Sequence, residues 1–160
     1  MSWQLRRATV NDLDAIMALE TALFENDAWS PAMMRGELAD KRSYYLVAFP
    51  PSDPGRIDGY AGLRAPLRQP QADIQTIGVA ESARRRGLGR VLMLRLVDEA
   101  RDRGAAEVFL EVRADNAGAR SLYEALGFEQ LAVRPKYYQP DGVDAVVMRL
   151  SIQTPRAGLA

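Results

Sequence analysis

Apolar positions recur along the chain with two different periods, and the changes from one period to the other mark out the elements. Residues 3–8 (WQLRRA) read as a first strand. From 9 to 24 the apolar positions Leu13, Ile16, Met17, Leu19, Leu23 and Phe24 follow helical spacing, and Thr9 with Asp12 three residues on forms a capping box ahead of them. Ser30 followed by Pro31 opens a second helix in WSPAMMRGELA, because a serine hydroxyl caps well and proline suits the first helical position. SYYLVAF (43–49) and IDGYAGLRA (57–65) predict a hairpin around the turn PPSDPG, and ADIQTIGVA (72–80) a further strand. Gly78 inside that strand signals a bulge or a close backbone approach. The strongest helix spans 87–104 and ends on Gly104. A strand at 106–113 follows, then a helix at 115–128 with Asp115 or Asn116 at its start and Gly127 at its end. Strands at 129–134 and 144–152 close the chain. The order β-α-α-β-β-β-α-β-α-β-β predicts an α+β (mixed α/β) fold: a mixed, mostly antiparallel sheet of about six or seven strands flanked by four helices. One domain is expected over 1–152, with 153–160 as a flexible tail.

Composition narrows the chemistry sharply. Cysteine and histidine are both absent. Disulfides, thiol nucleophiles, Ser-His-Asp triads and histidine- or cysteine-based metal sites are therefore excluded, and no metal is expected. Acid–base work falls to carboxylates, tyrosines, Lys41, Lys136, the amino terminus or water. Basic and acidic residues balance at 21 each, which argues against a general nucleic-acid or anionic-membrane binder. The N-terminal stretch MSWQLRRATV has no apolar core of a signal peptide, and no run approaches a membrane span, so a cytoplasmic location is expected.

Within this frame three features carry candidate chemistry. ESARRRGLGR (81–90) runs three arginines into Gly87-Leu88-Gly89 and straight into a helix. A helix N-terminus offers unpaired N–H groups and partial positive charge, and glycines let the backbone close on an anion. The stretch reads either as a phosphate cradle or as a solvated arginine cluster. It lacks the Gly-Lys-Ser/Thr ending of a P-loop. Glu111 lies among Val108, Phe109, Leu110 and Val112; alternation puts it on one strand face with Phe109 and Arg113, either paired there or functional. Asn116 and Tyr123, seven residues apart, share one helix face. Asn116 is a cap or a ligand contact. Tyr123 is a core aromatic or a free phenol beside Leu122 and Leu126, which already supply the apolar stripe.

IGVAESARRRGLGRVLM and LEVRADNAGARSLYEALGF together resemble the GCN5-related N-acetyltransferase (GNAT) superfamily, closely over 74–128 and by element order over the rest. The Arg84-x-x-Gly87-x-Gly89 segment is similar to its acetyl-CoA motif. The continuation through RPKYY and DAVVMRL, with DAWSP near the second helix, resembles the branch that acetylates the N-terminal alanine of a ribosomal protein. The resemblance implies acetyl-CoA as cosubstrate, coenzyme A as product, and direct transfer to a protein α-amine, ribosomal protein S18 being the expected partner. It implies that backbone N–H groups of Arg85, Arg86, Gly87, Leu88, Gly89 and Arg90 hold the pyrophosphate. Main-chain groups of Ile77, Gly78 and Val79 would bind the pantetheine arm, and Asn116 would contact it. Glu111 matches the general base and Tyr123 the general acid. Asp73, placed by the sequence on the strand leading to Val79, is either a solvated residue at the strand start or the alternative base. Tyr137 and Tyr138 match a pair beside the acceptor N-terminus, Trp29 and Ser30 lie in the segment that shapes its pocket, and Asp144 follows Val143 where the family commonly has Glu-Asp. A lysine or small-amine acetyltransferase and a non-catalytic acetyl-CoA-binding module are the alternatives.

Overall fold

The computed structural model describes residues 2–152; the expected tail at 153–160 lies outside them. The chain order is β1 (Gln4–Arg7), α1 (Leu13–Phe24), α2 (Pro31–Ala39), β2 (Ser43–Phe49), β3 (Gly59–Arg64), β4 (Gln71–Val79), α3 (Leu88–Asp102), β5 (Glu107–Arg113), α4 (Ala117–Ala125), β6 (Glu129–Tyr138) and β7 (Val143–Ser151). Each cap expected from sequence forms. Thr9 and Asp12 close the capping box, with the Thr9 N–H donating to Asp12 at 2.9 Å, and the first turn, Val10–Asp12, is a 3-10 turn. Ser30 accepts from the Met33 N–H at 3.1 Å with Pro31 at the head of α2.

The strands form one seven-stranded sheet in the order β1-β2-β3-β4-β5-β7-β6. All neighbouring pairs are antiparallel except β4 and β5. Helices α3 and α4 cover one face, over a core that includes Leu92, Met93, Leu96, Val108, Tyr123 and Met148. Helices α1 and α2 cover part of the other face, over Ile16, Met34, Tyr45, Val47 and Tyr60.

Two irregularities in β4 position everything that follows. First, its parallel pairing with β5 covers only Gln71–Asp73 against Glu107–Phe109; past that point β5 pairs with β7 alone, and the sheet forks. Second, its register with β3 slips: Gly62 faces Thr76 while Leu63 faces Ile74, leaving Gln75 as an extra residue. Such a bulge shifts the alternation of side chains by one. Ala72 and Ile74 pack under α3 before it, and Ile77 and Val79 do so after it. Thr76 and Gly78 are thereby turned toward α1. The bulge thus lies at Gln75, and Gly78 marks the close approach: a Cβ there would stand 2.5 Å from Cε1 of Tyr60.

Candidate active site

The fork between β4 and β5 is the apex of a cleft of about 920 Å³. Its first wall is β4 itself. The Ala80 N–H donates to the Asp58 carbonyl at 2.8 Å, which fixes the phase of the antiparallel ladder. Residues 76 and 78 therefore aim their N–H and C=O groups at β3, while those of Ile77 and Val79 point into the fork. Unlike an ordinary central strand, β4 offers one edge to a ligand. Among the described residues, one side chain bonds this edge: Arg84, whose Nε lies 3.4 Å from the Val79 carbonyl.

At one end of that edge the chain turns into α3. Arg85 and Gly87 both take positive φ (61° and 85°), and Gly87 sits in the left-handed region as the residue before the helix. The first helical hydrogen bond runs from Val91 to the Gly87 carbonyl at 3.1 Å. The N–H groups of Leu88, Gly89 and Arg90 thus have no acceptor within the helix. Gly89 is small for a second reason: a Cβ there would meet Leu122 of α4 at 3.3 Å, so it lets α3 and α4 close beside the turn. Arg84, Arg85 and Arg90 line the cleft here, making this end basic. A pyrophosphate-bearing chain running along an extended strand edge fits both halves of this wall.

The other end holds the candidate acid–base groups. Glu111 and Tyr123 both line the cleft. The Glu111 side chain is 34% exposed and pairs with Arg134 of β6 at 2.8 Å, not with Arg113. Tyr123 is buried against Phe128, its ring centroid 6.0 Å away. Burial, and then the nearby Tyr138, push its phenol up to about 12, so it stays protonated across the neutral range. Tyr138 is pushed up to about 12 as well, by burial and then by the charge of Glu111. Its ring stands edge-on to Tyr137 at 5.1 Å and under the Arg113 guanidinium at 5.2 Å. Arg113 in turn holds Asp27 at 2.6 Å, Asp115 at 3.0 Å and Asp141 at 3.1 Å. It ties the segment after α1 to the β6–β7 turn across the cleft mouth.

Most of the residues singled out from sequence come together here: Trp29, Ile77 to Val79, Arg84, Arg85, Gly87 to Arg90, Glu111, Asn116, Tyr123 and Tyr138 all line the cleft. Arg86, Ser30, Tyr137 and Asp144 do not. The Ser30 hydroxyl is committed to capping α2. Asp144 accepts the Lys136 N–H at 2.9 Å, holding the irregular stretch of β6 that delivers Tyr137 and Tyr138. Asn116 both caps and faces the cleft: its Oδ1 accepts from the Ala119 N–H at 3.1 Å, leaving the amide NH₂ for a ligand. Asp73 lies at the fork and accepts from Gln71 at 3.2 Å, outside the cleft lining. Sequence reading missed Glu20, a buried carboxylate of α1 that lines the cleft. The signal was present, since Glu20 continues the apolar stripe of Leu13 and Ile16 at helical spacing. Among the described residues no helix is long and apolar enough to cross a membrane, and no group of three acidic, histidine or cysteine residues is gathered as for a metal ion.

Comparison with known proteins agrees with this geometry. The model of the acetyltransferase (GNAT) family matches residues 13–128. The N-alpha-acetyltransferase RimI of Mycobacterium tuberculosis is 38% identical over 141 residues, 86% of this chain and 85% of that protein. The ribosomal protein bS18-alanine N-acetyltransferase of Escherichia coli is 46% identical over 84 residues, which is 51% of this chain and 57% of that protein. A crystal structure of the ribosomal-protein-S18-alanine N-acetyltransferase from Escherichia coli superposes with a TM-score of 0.85 at 31% identity, covering 99% of both chains. Arabidopsis thaliana NAA60 in complex with acetyl-CoA shares the fold at a TM-score of 0.84 and 18% identity, over 94% of this chain and 99% of that one.

Proposed function

The chain belongs to the acetyltransferase (GNAT) family, and from that premise we propose that it moves acetyl from acetyl-CoA directly to the N-terminal α-amine of a protein, with the terminal alanine of ribosomal protein S18 as the expected acceptor. The observation that carries this reading is the forked sheet. One cleft presents the free edge of β4, the α3 N-terminus at its basic end, and Glu111, Tyr123 and Tyr138 at the other. The S18 acceptor is taken from the named activity of the Escherichia coli relatives.

In this reading the N–H groups of Leu88, Gly89 and Arg90 receive the pyrophosphate, and Ile77 and Val79 pair with the amides of the pantetheine arm as a neighbouring strand would. A Val79 or Ile77 N–H aimed at the thioester oxygen stabilises negative charge as it develops there. The acceptor amine must be neutral to attack, and a terminal amine with pKa of about 7.7–8.0 is substantially so near neutrality. Glu111, partly exposed beside Arg134, takes its proton, directly or through water. Tyr123 faces the departing sulfur. A phenol raised to about 12 is a weaker acid than an ordinary thiol, at about 8.5. Completed transfer from Tyr123 to the thiolate is therefore uphill. Its role is a hydrogen bond to the leaving sulfur, and the proton released by the amine finally neutralises the thiolate. No residue forms a covalent acyl-enzyme.

The test is to incubate the protein with acetyl-CoA and two peptides and read both by mass spectrometry. One starts with alanine and a free α-amine; the other has that amine blocked and carries a free lysine. Acetylation of the first alone is expected. Transfer only to the lysine peptide, or to neither peptide while acetyl-CoA binds, overturns the reading.

A further inference from the structure

Glu20 stands in the floor of the cleft, outside the machinery assigned above. It is 1% exposed. A carboxylate buried this deeply is tolerated only when donors surround it. Three do. The Tyr60 hydroxyl and the Thr76 hydroxyl, the latter at 2.9 Å, both donate to Oε1, and the main-chain N–H of Trp29 donates to Oε2 at 3.0 Å. Among the described residues it has no lysine or arginine partner.

The three donors come from three different places. Tyr60 belongs to β3, its ring seated over Gly78. Thr76 is the first residue after the bulge in β4, and it faces Glu20 only because the bulge turned it toward α1. Trp29 lies between α1 and α2 and forms a wall of the cleft. A single side chain thus joins the wall beside the acceptor to the strand whose next residues are Ile77 and Val79. Three hydrogen bonds from three separate parts of the chain converge on one buried side chain and fix its position, so this is a stiff joint.

We propose that Glu20 is a positioning residue for acetyl transfer. It fixes the main chain at Trp29 relative to Thr76, and so sets where the acceptor amine sits over the thioester-binding edge of β4. The proposal rests on the acetyltransfer reading, but its central geometric claim does not require turnover.

The variant that isolates it is Glu20→Met, which keeps an unbranched side chain of similar length. With the carboxylate gone, the Tyr60 and Thr76 hydroxyls can bond each other, and the Trp29 N–H is the donor left without an acceptor. The peptide kcat/KM is expected to fall at least about tenfold, mostly through KM, while the Kd of acetyl-CoA measured by calorimetry stays within about twofold. Glu20→Gln should stay within about threefold of wild type, because its amide oxygen can serve Trp29 while its NH₂ meets two hydroxyls that can accept. That rescue separates positioning from proton transfer, since a base replaced by an amide is not rescued. If Glu20→Met does not fold, Glu20→Asp, which withdraws the carboxylate by one methylene, is expected to give the same rise in peptide KM. Equal losses in the Gln and Met variants, unchanged peptide KM in Met or Asp, or a matching loss of acetyl-CoA affinity each overturns the proposal. Amide exchange at Trp29, read by NMR without substrate, should quicken at least about tenfold in Glu20→Met and not in Glu20→Gln. If wild-type protein acetylates neither peptide, the function fails while this readout still decides the geometry, and unchanged exchange overturns it.

Discussion

Replacing Gly78 with alanine adds one methyl group at the most crowded point of β4. An ideal Cβ there stands 2.5 Å from Cε1 of Tyr60 and 2.7 Å from both Cζ and the hydroxyl oxygen. Carbon atoms pack at about 3.5–4.0 Å, so the ring must retreat by roughly 1 Å. It has nowhere to go: Tyr60 is fully buried, and its hydroxyl is bonded to Glu20. Overpacking of this kind costs about 1–3 kcal/mol, with a few tenths returned because alanine restricts the unfolded chain. For a protein of this size that corresponds to a fall in Tm of about 2–12 °C. Thermal melts of Gly78→Ala, Tyr60→Leu and the double variant form a cycle that isolates the contact. Once the ring is gone the methyl group should cost almost nothing, giving a coupling of about 1–3 kcal/mol. Gly36→Ala is the control, since nothing lies within 4 Å of its added Cβ on an exposed turn of α2; it should stabilise by about 0.5–1 kcal/mol. An unchanged Tm for Gly78→Ala, or additivity within about 0.5 kcal/mol in the cycle, would refute the close-approach account.

Tyr123→Phe removes a hydroxyl that bonds no other described residue, so its Tm should hold within about 1 °C while the single-turnover rate falls at least about tenfold; wild-type rates would leave the ring as packing only. Glu111→Gln should lower kcat by about 10- to 100-fold near pH 6.5, less as pH rises and the amine is already neutral, with acetyl-CoA affinity unchanged; a constant ratio to wild type from pH 6 to 9 removes Glu111 from proton transfer. Asp12 is held below the usual carboxylate range by hydrogen bonds from Arg6, reinforced by the Thr9 N–H. Its depressed folded pKa contributes stability that is fully present above the unfolded value and is lost as pH falls through the folded one. Asp12→Asn should therefore cost about 1–2 kcal/mol at pH 7, and the gap in Tm should narrow steadily below pH 4; a gap that widens toward acid contradicts the sign.

Local signals were the legible ones. Thr9 with Asp12, Ser30 with Pro31 and Gly87 before an amphipathic run each act within a turn or two, and all three form as the sequence implied. The same holds for the element order, because each strand and helix carries its own period. What escaped depends on partners far along the chain. Glu111 meets Arg134, from a strand whose place beside β7 no spacing reveals. The slip at Gln75 is hidden because ADIQTIGV alternates plausibly in either phase; only its register against β3 shows that the buried face changes. Ser30 and Asp144 illustrate a different difficulty: both are near the site in sequence, yet their oxygens are occupied by the backbone groups that shape it. Glu20 was readable as a charge on an apolar stripe, but not its donors, which arrive from Tyr60, Thr76 and Trp29.

The fork gives a central strand the properties of a border. A sheet ordinarily leaves unpaired backbone only at its outermost strands, here β1 and β6, and such margins invite any extended chain with amides at the right interval. By parting after Asp73, β4 and β5 create two more margins indoors, roofed by α3 and α4 on one side. Whatever occupies them completes a ladder that the polypeptide left unfinished. On the proposed reading occupancy becomes part of folding: a bound chain would add its free energy to the native state, and the amides of Ile77 and Val79 would gain protection from exchange. An edge of this kind matches the rhythm of a backbone before it meets any side chain.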